Sequence, residues 1–240
     1  MDVHPGDRFC GHCGNTLEEP AKPVTDVFSV LTPSLAYYFI TLALLATYKM
    51  TDLFPVTFES FLAVSILDAL IVIAFWIIAW KEVRPLLGFS GLKLSIVGLT
   101  ITGALAGCLI VSVVADYINV SLFESTYSER WIFAETTSPL LFSVLLTCAV
   151  PALFEEVAFR GFLFNNIQKI STPSGAAYIT AFIFGIIHLA VISMLWLVPL
   201  GIAFAFLRIK YNTLWYGMIG HFAYNLGFVL IDYWSGLTGG

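Results

Sequence analysis

Phe154-Glu155-Glu156-Val157-Ala158-Phe159-Arg160-Gly161 sets two adjacent glutamates and an arginine inside one of the most apolar stretches of the chain. Each ionised side chain placed at the centre of a membrane helix costs about 2.5 to 3.5 kcal/mol on insertion scales, so such groups mark working sites by default. The surroundings confirm the setting. The 240 residues are 59% hydrophobic and only 11% charged, with a mean hydropathy of +0.89. A globular domain carries about 25% charged residues. The composition therefore points to an all-α, polytopic membrane bundle. The net charge of -5 matters less than how the charges divide between the two sides. No basic patch suggests nucleic acid.

Outward from that stretch, apolar segments of the length a bilayer asks for, about 20 residues, recur along the chain. Spans are expected near 30–48, 60–80, 94–115, 139–165, 175–191, 193–209 and 213–232, seven in all. The division between the fifth and sixth rests only on Ala190 to Ser193. Three regions follow: a polar segment 1–26, three spans with an acidic outer loop over 27–138, and a four-helix core over 139–232. With a cytoplasmic N-terminus, the inner side receives Arg8, Lys22, Lys81, Arg84, Lys93, Lys169, Arg208 and Lys210. The outer side keeps Lys49 and Arg130, which matches the positive-inside rule. The loop 116–138, with Asp116, Glu124, Glu129 and Glu135, then lies outside.

The N-terminal segment holds Phe9-Cys10-Gly11-His12-Cys13-Gly14. It shows no apolar core before a cleavage site, so no signal peptide is read here. Two thiolates two residues apart can grip zinc, but a structural site needs four ligands. The pattern resembles half a zinc ribbon; His4 and His12, or a second chain, would complete it, and the alternative is a tail whose knuckle is a remnant. Cys108 and Cys148 fall in apolar segments and read as buried free thiols. Gly103-Ala104-Leu105-Ala106-Gly107 is a Gly-x-x-x-Gly motif and reads as helix packing. Asp68, inside the second span, either lines a wet cavity or finds a polar partner.

The fourth span carries the chemistry. Pro151 has no N–H for the carbonyl of Thr147, which is left free one turn before the glutamates. Free backbone at membrane depth is tolerated only inside protein or beside water. Glu156 and Arg160, at i and i+4 with the acid first, form a favourable pair on one face. Glu155 points about 100° away from Glu156 and is available to face a cavity as a base. The membrane part contains two histidines, His188 and His221, and Asn225 shares a helix face with His221. At 1.5 Å per residue, Glu155 lies about 20 Å from Gln168, His188 about 20 Å from Gly175 and His221 about 12 Å from Thr213. All three groups can reach one depth from the same side.

The ordered set Glu155-Glu156-x-x-x-Arg160, Phe184-x-x-x-His188 and His221-x-x-x-Asn225 resembles the CAAX protease and bacteriocin-processing (CPBP, or Abi) family of intramembrane proteases, over about residues 139–232. That resemblance implies a membrane endopeptidase acting on peptide or lipidated substrates, prenylated CAAX-type chains among them. It gives Glu155 as the base that activates water, His188 as a group that orients the water, and His221 and Asn225 as donors to the oxyanion. Glu156 and Arg160 become structural or substrate-positioning residues. A zinc ion held by Glu155, His188 and His221 is the metal alternative, since two histidines and a carboxylate are an accepted catalytic set; there is no His-Glu-x-x-His, and a metal-free mechanism is favoured. The non-enzymatic alternative is a binding or immunity protein that keeps the fold without cutting.

Overall fold

The computed structural model describes residues 26–124 and 128–238, so Cys10, Cys13 and the proposed half zinc ribbon lie outside the described residues. Among the described residues the chain is helical throughout. Seven principal helices occur: α1 Val27–Met50, α2 Phe58–Ile78, α3 Leu94–Phe123, α4 Pro139–Gln168, α5 Pro173–Ile187, α6 Met194–Tyr211 and α7 Trp215–Thr238. Their starts follow local chemistry. Asp26, Thr57 and Thr172 cap α1, α2 and α5 by accepting hydrogen bonds from the backbone N–H groups of Phe28, Ser60 and Gly175. Pro139 and Pro173 open α4 and α5, where a missing N–H is harmless. α3 and α6 end on left-handed residues, Glu124 and Asn212.

The seven helices occupy the seven expected segments, but not all seven have the length and hydropathy of a membrane span. Five of them, α1, α2, α3, α4 and α6, are long and apolar enough to cross a membrane by length and composition. α5 has 15 residues, about 22 Å at the helical rise, and stops short of a full crossing. It breaks at His188 and Leu189, the latter in the left-handed region at φ 55°. α7 is long enough at 24 residues. His221, Tyr224, Asn225 and Asp232, however, lower its hydropathy below that of the other long helices. The expected outer loop also begins later, because α3 continues to Phe123.

The core is built on α4. Tyr37 of α1 meets Phe159 and Phe162 edge-on, with centroids 6.1 and 5.9 Å away, and Phe75 of α2 packs on Phe162 at 5.3 Å. A second cluster joins Phe164 to Ala176, Ala177 and Ala205, so α4 also holds α5 and α6. A third joins Ala104 and Cys108 of α3 to Ala223 and Tyr224 of α7. Here the Gly-x-x-x-Gly reading is corrected. A side chain at Gly103 would meet nothing within 4 Å, and one at Gly107 only Tyr224 at 3.9 Å. The neighbouring face, Ala104 and Cys108, makes the contact instead, against Gly227, where an added Cβ would stand 2.7 Å from Cys108 Sγ. Cys108 and Cys148 are buried free thiols, as read from the sequence.

Candidate active site

α4 is not a uniform α-helix. Val144–Ala149 and Glu156–Leu163 are π-helical turns on either side of the α-helical segment Val150–Glu155. Such insertions often occur at functional sites because they re-aim side chains and loosen the backbone ladder. Every residue of the second π segment is buried, Glu156 and Arg160 included. Pro151 sits where expected, and the Thr147 carbonyl it cannot satisfy is taken up from outside the helix. Asn225 of α7 donates from Nδ2 to that oxygen at 2.8 Å. The amide therefore stitches α7 to the proline break and keeps one further hydrogen to offer.

Glu156 and Arg160 form the pair the spacing requires, with Nη1 2.9 Å from Oε1 and side chains 0% and 1% exposed. The guanidinium also lies over the rings of Phe184 at 4.6 Å and Phe204 at 5.7 Å. A desolvated cation held over aromatic faces gains about 2 kcal/mol, which helps to offset its burial. Glu156 is pressed against the first turn of α7, and a methyl group at Gly217 would collide with its Oε2. A carboxylate is favoured near the N-terminus of a helix, where backbone N–H groups are free. That end of α7 is itself fixed: Leu214 N–H and the Thr213 hydroxyl donate to Leu86 O at 3.0 and 3.2 Å, and Trp215 Nε1–H to Leu87 O at 2.8 Å.

From that anchor α7 carries His221 between the two glutamates. Its Nδ1 is 3.3 Å from Glu156 Oε1 and its Nε2 is 3.8 Å from Glu155 Oε2. A carboxylate can only accept, so Nδ1–H is the donor to Glu156 and Nε2 is the atom turned toward Glu155. Glu155 is less enclosed than Glu156, at 23% against 0% exposed, and its Oε2 is buried without a hydrogen-bond partner. Each glutamate keeps an Oε2 without a hydrogen-bond partner, but Glu156 is enclosed and held through Oε1 by Arg160 and His221, whereas Glu155 is the partly exposed one.

His188 ends α5. Its Nδ1–H donates to Phe184 O at 2.7 Å, which leaves Nε2 with a free lone pair. Lys49 of α1 donates to the His188 carbonyl at 3.0 Å and satisfies the broken helix end. His188 and His221 both stand edge-on to Phe184, with centroids 4.7 and 6.0 Å away, so one ring is neighbour to both imidazoles. Among the described residues no group of three or more His, Cys, Asp or Glu side chains is arranged to hold a metal ion.

Gly217 and Phe204 escaped sequence reading. Gly217 had a signal, since it precedes His221 by four residues and shares its face with Asn225. Phe204 had none, because it meets Arg160 only through the packing of α6.

Residues 137–227 match the family model described as Rce1-like, type II CAAX prenyl endopeptidase Rce1-like. The match runs from just before α4 into α7 and contains all of Glu155, Glu156, Arg160, His188, His221 and Asn225. The chain is also 28% identical over 143 residues to the Bacillus subtilis (strain 168) protein named "Putative membrane peptidase YdiL". That alignment covers 57% of this chain and 58% of the relative, so the chain matches under two thirds of the relative's length. No solved structure matches it.

Proposed function

We propose, from the match of residues 137–227 to the Rce1-like family model, that this chain is an intramembrane endopeptidase of the CAAX protease and bacteriocin-processing family. It hydrolyses peptide bonds of membrane-associated or lipidated substrates, prenylated CAAX-type chains among the candidates, with its N-terminus on the cytoplasmic side. The observation that carries the reading is the difference between the two glutamates. Glu156 is fully enclosed, with Oε1 held by Arg160 and His221 and Oε2 pressed against Gly217. Glu155 is 23% exposed, makes no ion pair with Arg160 and no hydrogen bond at Oε2, and turns that oxygen toward His221.

Glu155 takes a proton from water as the water oxygen attacks the scissile carbonyl carbon, and returns it to the leaving nitrogen when the C–N bond breaks. The second N–H of Asn225 faces the charge that develops on the carbonyl oxygen, and His221, whose Nδ1–H is held by Glu156, adds a donor there when Nε2 carries a proton. A donor so placed in a dry site contributes about 3 to 4 kcal/mol. Glu156 and Arg160 hold His221 and the π segment in position. The mechanism is metal-free.

The test is cleavage of quenched peptides, prenylated and plain, by the detergent-purified chain and by Glu155→Ala, each with and without a chelator. The parent should cleave, and Glu155→Ala should lose a factor of about 10² to 10⁴. Chelator should leave the parent unchanged; loss of activity that zinc restores would sink the metal-free mechanism. Equal cleavage by both chains would sink the assignment of Glu155. Peptide binding without cleavage would favour the binding or immunity reading.

A further inference from the structure

Asp68 lies in α2, outside the region that carries the family match, and no role has been given to it. Three contacts fix how α2 lies along α4. Phe58 packs on Phe142 at 5.2 Å, Phe75 on Phe162 at 5.3 Å, and just past the end of α2 Glu82 Oε1 meets Lys169 Nζ at 2.9 Å. N-terminal end meets N-terminal end and C-terminal end meets C-terminal end, so the two helices run parallel. The Glu82–Lys169 pair is separated by 87 residues, and the Phe75–Phe162 pair by the same interval. The Phe58–Phe142 pair has an interval of 84, so the register shifts along α4, whose Glu156–Leu163 stretch is π-helical; Asp68 falls between the two aromatic contacts, level with the turn of α4 that ends at Glu155.

The side chains agree with the register. Val64 and Val72, one turn to either side of Asp68 on the same face, are both buried, and Val72 shares its cluster with Phe159 and Phe162. Asp68 Oδ1 is buried without a hydrogen-bond partner, as is Glu155 Oε2. Tyr37 of α1 is within electrostatic reach of both carboxylates, and each carboxylate of the other. Two acceptor-only groups thus share one interior level, and neither of these oxygens accepts a hydrogen bond from the protein, His221 Nε2 standing 3.8 Å from Glu155 Oε2. Buried acceptors of this kind are costly unless a donor completes them.

We propose that Asp68 is a further residue of the catalytic site, and that it accepts the second hydrogen of the attacking water while Glu155 accepts the first. This deepens the peptidase reading and rests on it. Water has two O–H groups, and fixing both aims an oxygen lone pair at the carbonyl carbon. As the new C–O bond forms, the proton facing Glu155 transfers to Oε2 and the C=O electron pair moves to the carbonyl oxygen. The hydrogen on Asp68 stays with the new hydroxyl group. Collapse breaks the C–N bond, Glu155 delivers its proton to the nitrogen, and the products are a carboxylic acid and an amine. The family resemblance gives the orienting contact to His188; the register of α2 on α4 gives it to Asp68.

The test pairs kinetics with a binding measurement that needs no turnover. A peptide with CH(OH)–CH2 in place of the scissile amide offers a hydroxyl where the water would sit, and its CH2–CH2 counterpart does not. The parent should bind the hydroxyl peptide about tenfold more tightly, the worth of one charge-assisted hydrogen bond, and Asp68→Ala should lose that preference. Its kcat should fall about 100-fold with KM within about threefold of the parent, the pattern of an interaction made in the transition state. Asp68→Asn, which keeps an oxygen acceptor without charge, should fall between the two and carries the comparison if the alanine chain does not fold. Retention by Asp68→Ala of either the parent kcat or the hydroxyl preference overturns the proposal, as does a parent that prefers neither peptide or binds neither. A parent that prefers the hydroxyl peptide through Asp68 but cleaves nothing supports the contact while refuting the peptidase reading.

Discussion

Replacing Arg160 by methionine should be among the most damaging single changes available to this chain. The guanidinium is 1% exposed and holds a carboxylate that is 0% exposed at 2.9 Å. Methionine fills much of the space but leaves Glu156 buried with His221 as its remaining partner, 3.3 Å away. Removing one member of a buried pair typically costs about 3 to 5 kcal/mol, because the partner's desolvation is no longer compensated. The surviving His221 contact places the expectation near the lower end, about 3 kcal/mol. Glu156→Gln should cost less, about 1 to 2 kcal/mol: the amide oxygen still accepts from Nη1, and Phe184 and Phe204 still face the cation. The double variant should then cost clearly less than the two singles added together, since each removes the reason the other is harmful. Reversible unfolding in mixed micelles, monitored for parent, both singles and the double, gives all four corners of the cycle. A cost below about 1 kcal/mol for Arg160→Met, or strict additivity in the double, would refute the argument that this pair is closed and desolvated.

Asn225→Ala removes the amide from the Thr147 carbonyl, 2.8 Å away, and should lower stability by about 0.6 to 1.7 kcal/mol in the same assay. Asn225→Asp supplies no N–H when ionised and should not restore it. Gly217→Ala drives a methyl group into Glu156 Oε2, so proteolytic activity should fall while the fold survives at a loss of about 1 to 3 kcal/mol; unchanged activity would mean that Glu156 need not sit against α7. Gly103→Ala should be neutral or slightly stabilising, within about 0.5 kcal/mol, as an exposed helix position is. Gly227→Ala should destabilise by about 1 to 3 kcal/mol through its contact with Cys108. Equal effects at these two glycines would restore the Gly-x-x-x-Gly face as the packing surface.

Sequence alone determined the features that depend on neighbours along the chain. Hydropathy located all seven helices, because about 20 apolar residues are what a bilayer demands of any crossing helix. Helical periodicity placed Glu156 and Arg160 together and aligned His221 with Asn225, because residues four apart share a face whatever surrounds them. The missing N–H of Pro151 marked the Thr147 carbonyl as one that needs an outside donor. Tertiary structure alone decided which donor reached it and how the polar groups of different helices met. His221 between two glutamates, Asp68 on the level of Glu155 and Phe204 under Arg160 all follow from helix register and crossing, set by contacts such as Phe75 on Phe162. No local pattern encodes them. The small-residue motif at Gly103 and Gly107 shows the same limit from the other side. Spacing tells which residues share a face, but only the bundle decides which face is covered, and here the Ala104–Cys108 face meets α7.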